Sequence, residues 1–151
     1  MDPRVAVADL YWAGRLDDSL RYAQQQATEV ADPGGGTSAV WLIANQARSL
    51  AALGRLAEAH AAIERAADAR ENVEPDELDD FGGLGTFTRP RQLYYAADAL
   101  RWGGRDEAES TERLALFALD AYQEAQRPTT PSATRQAPDV PSLPPASNSG
   151  R

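Results

Sequence analysis

Residues Trp41 to Arg70, WLIANQARSLAALGRLAEAHAAIERAADAR, set two amphipathic helical patterns on either side of one glycine, and no other stretch restricts the fold as much. From Trp41 to Leu53 the large apolar residues Trp41, Leu42, Ile43, Leu50 and Leu53 interleave with Ala44, Ala47 and Ala51, a spacing that leaves one wide apolar stripe on a helix. Gly54 interrupts the run. Glycine adopts a left-handed conformation without steric penalty and so ends helices, and Leu56, Ala59, Ile63, Ala66 and Ala67 restart a stripe just beyond it. Two helices joined this tightly pack antiparallel.

The rest of the chain follows the same logic. Asp2 and Pro3 read as an N-cap and first-turn proline that open a helix through Val5, Val7, Leu10 and Tyr11, ending near Gly14. A second helix carries Leu16, Leu20, Ala23 and Ala27, with Asp17 and Asp18 in its first turn, and stops at Asp32-Pro33-Gly34-Gly35-Gly36. Thr37 or Ser38 is expected to cap the third helix. After the fourth, residues 71 to 80 hold six acids and no arginine, expected to be a solvated loop because the spacing lacks the alternating oxygen ligands of a calcium loop. In FGGLGTFTRP, residues 81 to 90, Phe81, Leu84 and Phe87 are too apolar to remain in water, so this loop is expected to fold back onto the helices. Pro90 starts a fifth helix that runs to Trp102 and closes at Gly103-Gly104. A sixth starts near Asp106 and fades around Gln126.

The expected fold is therefore all-α, about six helices in three hairpin units over residues 1 to 125. Residues 126 to 151 form a tail rich in proline, serine and threonine, with only Val140 and Leu143 as larger aliphatics. A segment with so little to bury cannot offset its ordering entropy, so the tail is expected to be disordered.

Composition narrows the chemistry. With no cysteine, disulfides and thiolate metal sites are excluded, and a single histidine makes a zinc site a poor fit. All 15 basic residues are arginine, which excludes a Walker-type phosphate lysine and a Schiff-base lysine. The net charge of −8 disfavours direct nucleic-acid binding; residues 126 to 151 carry Arg127, Arg135 and Arg151 against Asp139, so the helical part alone carries −10. No apolar run reaches the ~20 residues that span a bilayer. The N-terminus has no signal-peptide pattern, so a cytoplasmic location is expected. His60 is expected to pair with Glu64 one turn on. No serine nucleophile motif, dinucleotide fingerprint or carboxylate with a partner base is present, so neither an enzyme nor a cofactor is expected.

The three joins superimpose as Gly14-Arg15-Leu16 with Ser19, Gly54-Arg55-Leu56 with Ala59, and Gly103-Gly104-Arg105 with Ala108: a glycine turn, then a small residue. This pattern is similar to tetratricopeptide repeats, in which the small residue lets the second helix of a unit approach the first. The spacings of 40 and 49 residues between Gly14, Gly54 and Gly103 exceed the 34 of that family. The stretch 78 to 102, LDDFGGLGTFTRPRQLYYAADALRW, resembles the C-terminal helical-repeat region of bacterial Xre-type helix-turn-helix transcriptional regulators. Its elements are Asp79, Asp80, Gly82, Gly83, Phe87, Pro90, Gln92, Tyr94, Tyr95 and Ala96. The resemblance implies a regulatory or dimerising region. Since Pro3 already opens a repeat helix, no DNA-binding domain is expected here, and the chain reads equally as an intact small protein or as a piece of a longer regulator.

On the repeat reading, the first helix of each unit lines a concave groove. That places Arg4, Tyr11, Trp12, Trp41, Asn45, Arg48, Tyr94 and Arg101 on or near it, with Tyr11, Trp41, Asn45, Arg48, Tyr94 and Arg101 as the partner-binding candidates. Arginine, asparagine and aromatics offer fixed donors beside flat apolar area, which suits a peptide or protein partner. Trp12, Trp41 and Tyr94 serve equally well as core residues of an alanine-rich bundle. A second expectation is homo-oligomerisation through the open face of the last repeat.

Overall fold

A computed structural model describes residues 2–30, 36–73 and 86–128. They are helical, with no strand among them: α1 (Pro3–Trp12), α2 (Leu16–Glu29), α3 (Ser38–Ala52), α4 (Leu56–Asn72), α5 (Arg89–Leu100), a 3-10 segment (Arg101–Glu107) and α6 (Ala108–Gln126). Most of the 32–36 loop, the acidic run from Glu74, the Phe81–Gly85 stretch and the tail beyond Pro128 lie outside the described residues. No described helix is long and apolar enough to cross a membrane.

Local chemistry sets the helix ends. The Asp2 carboxylate accepts from the Arg4 backbone N–H at 2.9 Å, and Thr88 accepts from that of Arg91, in each case just ahead of a proline in the first turn. α1 and α3 end in the same device. The N–H of Gly14 donates to the carbonyl of Tyr11 and that of Arg15 to Leu10, while Gly54 donates to Ala51 and Arg55 to Leu50, the paired bonds of a Schellman turn. Both glycines sit in the left-handed region, with φ of +75° and +79°. Ser19 and Ala59, five residues on, are fully buried. The Ser19 hydroxyl donates to the Val7 carbonyl of α1 at 3.0 Å and accepts from Ser49 of α3, so this small residue ties three helices together.

The third join differs from the other two. α5 stops at Leu100, two residues before the expected end, and a 3-10 turn carries the chain to α6 with Gly104 alone at positive φ (+62°). Here Ala108 is exposed, so nothing requires a small residue. His60 of α4 meets Glu107, at 2.7 Å, and not the expected Glu64: the 3-10 turn brings a carboxylate 47 positions away closer than the helical neighbour. Thr37 also departs from its expected role. It precedes α3, but its hydroxyl makes no capping bond and instead accepts from the Phe87 N–H at 3.0 Å.

α3 is the central helix, packed on α1, α2, α4 and α5, while α5 packs on α6. Leu20, Leu50 and a set of alanines fill one part of the interior; Val40 and Phe87 fill a second, and Val7, Ala23 and Leu42 a third. Each fully buried Leu or Phe contributes about 1.5–3 kcal/mol and each alanine much less, so Phe87 and Leu42 weigh heavily in this core.

Candidate partner-binding face

α1, α3 and α5 contribute side chains to one face, and Arg48 of α3 lies at its centre. Its side chain comes from the middle of α3, where every residue from Ala44 to Ala51 is buried. The guanidinium lies between two phenol rings, 4.4 Å from the centroids of both Tyr11 (α1) and Tyr95 (α5), with the indole of Trp12 at 5.5 Å. Asp98 of α5 accepts from Arg48 Nε at 2.8 Å. The other oxygen of Asp98 accepts from Arg101 Nε at 2.7 Å, and this contact raises the Arg101 pKa further above its ordinary value. A buried cation is tolerable only when its charge is matched and its faces are covered; one carboxylate and two rings do both here.

A second set of contacts lies around Trp41. Phe87 stacks on its ring at 5.5 Å with an interplanar angle of 8°, the guanidinium of Arg91 lies 4.3 Å from the ring centroid and that of Arg4 at 5.1 Å, and the indole N–H donates to the Tyr95 hydroxyl. At the opposite end of the face, the Trp102 indole N–H donates to the Tyr11 hydroxyl at 3.2 Å, and Arg101 lies over the Trp102 ring.

Of the six residues expected from the sequence, all lie on α1, α3 and α5 or at the end of α5, and five of them join these contacts. Tyr11 and Arg48 touch directly. Asn45 is 1% exposed, donates to the Trp41 carbonyl and accepts weakly from Arg48. Arg48 is 3% exposed and Trp41 is partly covered, so these residues hold the helices together and present little surface. Tyr94 (52% exposed) contacts the network only edge-on through Tyr95, and Arg101 is also open to solvent. The side chains of this face that stand in solvent are Tyr94 and Arg101 together with Trp12 (70%) and Trp102 (49%).

Sequence reasoning passed over Asp98, Tyr95 and Trp102 as site residues. Asp98 could have been found as the acid three positions before Arg101, the spacing at which helix side chains meet. No local signal marks the Arg48–Asp98 pair, whose members are 50 residues apart. No protein-family model, no curated protein and no solved structure matches this chain.

Proposed function

We infer that the chain is a non-catalytic, tetratricopeptide-like interaction module that binds a peptide or protein partner on the α1–α3–α5 face. This reading keeps the resemblance of residues 78–102 to the regulatory region of Xre-type regulators as its family context. The observation that carries it is the group of large aromatics left in water there. Trp12, Tyr94 and Trp102 are about half exposed or more, although the same chain buries Phe87 and Leu42 completely. Tryptophan, tyrosine and arginine supply most of the energy at protein interfaces, and here they stand on a rigid base fixed by the Arg48–Asp98 pair. Two smaller features agree: α1, α3 and α5 are the first helices of their hairpins, and two of the three glycine joins share one hydrogen-bond pattern.

Peptides selected from a displayed random library against the full chain test this reading. The expected result is that W12A, Y94A and W102A each weaken the selected peptides by tenfold or more, with the helical circular dichroism unchanged. Peptides that bind all three variants as well as the parent would refute the assignment of this face. Asn45 and Arg48 are unsuitable for the test because both are buried and their loss would disturb the fold.

A specific observation also favours self-association as a second reading. Leu116, Phe117 and Leu119 of α6 are more than half exposed and Tyr122 lies nearby, so the last helix offers apolar surface that nothing in the described residues covers. Sedimentation equilibrium tests it: a dimer that L119E converts to monomer supports the reading, and a monomer at high concentration excludes it.

A further inference from the structure

The alanine-rich interior leaves an apolar cavity where four helices meet. Ala44 and Ala47 of α3 line it, as do Ile63, Ala66 and Ala67 of α4, Leu93 and Ala96 of α5, and Leu114 of α6, around a volume of about 180 Å³. Five of these eight side chains are single methyl groups, and this is the physical cause of the space. Helices cannot approach closely enough to fill the gap that short side chains leave once larger ones, here Ile63, Leu93 and Leu114, hold the helix axes apart.

The polarity of the lining decides what can enter. Gln92 is the one polar residue on the wall, and its amide oxygen already accepts from Arg70 Nε. Water needs two to four polar partners to stay ordered in a cavity, and this wall offers almost none, so water is held only weakly there. No titratable side chain lines it, which excludes a charged ligand group. Its size excludes a drug-sized molecule, because such pockets begin at about 300 Å³. An apolar cavity of roughly 150 Å³ in another protein holds benzene or xenon, so the volume here matches one six-membered ring or a short alkyl chain.

We propose that this cavity between α3, α4, α5 and α6 is a binding site for a neutral, apolar small molecule, either a monocyclic aromatic or a short aliphatic chain. It lies on the Leu93 and Ala96 side of α5, apart from the aromatic face, and does not depend on the partner-binding reading. A ligand there restores the dispersion contacts that the wall atoms lack. By mass action it also stabilises the folded state: at ten times its Kd the folding equilibrium shifts about elevenfold.

Titration of the full chain with toluene, read by methyl chemical shifts and by thermal unfolding, tests the proposal. The expected result is a saturable shift confined to Ile63, Leu93, Leu114 and the lining alanines, a rise in Tm, and no response to benzoate. A96L should abolish the shifts by filling the space. Since A96L could overpack the core, A67L, at an exposed position on the rim, is the second variant and should weaken toluene at least tenfold. Absence of saturable shifts up to the solubility limit overturns the proposal. So does equal binding of benzoate.

Discussion

Removing the Asp98 carboxylate should cost more stability than removing the guanidinium it faces, although both belong to one ion pair. Their side chains are 4% (Arg48) and 9% (Asp98) exposed, so the interaction is that of a buried pair. Breaking such a pair by deleting one member costs about 3–5 kcal/mol, because the other charge stays buried and unmatched. In D98A that holds in full. Arg48 would keep only its ring contacts to Tyr11, Tyr95 and Trp12 and a 3.4 Å contact to Asn45, and Arg101 would lose its carboxylate as well. In R48M the remaining charge is better placed, since Asp98 still accepts from Arg101, whose side chain is half exposed and needs no new burial. A cost of about 1.5–3 kcal/mol is then expected, that of one hydrogen bond to a charged group. Because a small domain is stable by only about 5–15 kcal/mol, the difference between the variants is readily measured by urea denaturation. The double variant R48M/D98L should recover much of the D98A loss, as apolar replacement of a buried pair is often neutral or better. If D98A proves no more destabilising than R48M, the role assigned to Arg101 as the second partner is wrong.

Four further outcomes follow from local contacts and backbone geometry. F87A should lose about 3–5 kcal/mol by thermal or urea unfolding, because Phe87 is fully buried between Trp41 and Tyr95. G14A and G54A should each cost about 1–2 kcal/mol from the left-handed backbone alone, since a Cβ at either site meets nothing within 4 Å. G103A acts differently: its Cβ would meet Glu107 Cγ at 2.3 Å, so it should displace Glu107 and alter the His60 ring signals in an NMR spectrum. In an NMR titration, the Asp18 and Glu58 carboxyls should ionise below the usual carboxylate range, because Arg15 and Arg55 hydrogen-bond to their charged forms. With a folded pKa below the unfolded one, any stability they lend is present above about pH 4 and is lost as the pH falls through the folded values. R55Q should move Glu58 back up, and an unchanged value would remove Arg55 as the cause.

The helix limits were readable in advance because local groups set them. Asp2 with Pro3, Gly14 and Gly54 act within a turn of their own position, and the observed ends fall where those residues predict. The third join was misjudged for the opposite reason. Gly103-Gly104 has the same composition as a simple stop, but the chain winds through it in a 3-10 turn in which a Cβ at Gly103 would meet Leu56 of α4 and Glu107, and the tertiary neighbour Leu56 is invisible in the local sequence. The pairing of His60 shows the same limit, since a helical spacing rule sees only neighbours on one helix.

The sequence by itself determined that the chain is helical, which faces of the helices are apolar, and that α1, α3 and α5 carry the arginines and aromatics of the candidate site. Periodicity and capping are properties of short segments, and a short segment contains all the information they need. Only the tertiary structure decided which of those side chains serve as support and which meet solvent. Arg48 and Trp12 look equally exposed in the sequence. Arg48 is buried because Tyr11, Tyr95 and Asp98 arrive from two other helices to cover and neutralise it, while Trp12 stays 70% exposed because none of the described helices packs over it. The cavity has the same origin. Each lining alanine is unremarkable within its own helix, and the space exists only because three helices bring their alanines to one place beside Leu114 of α6.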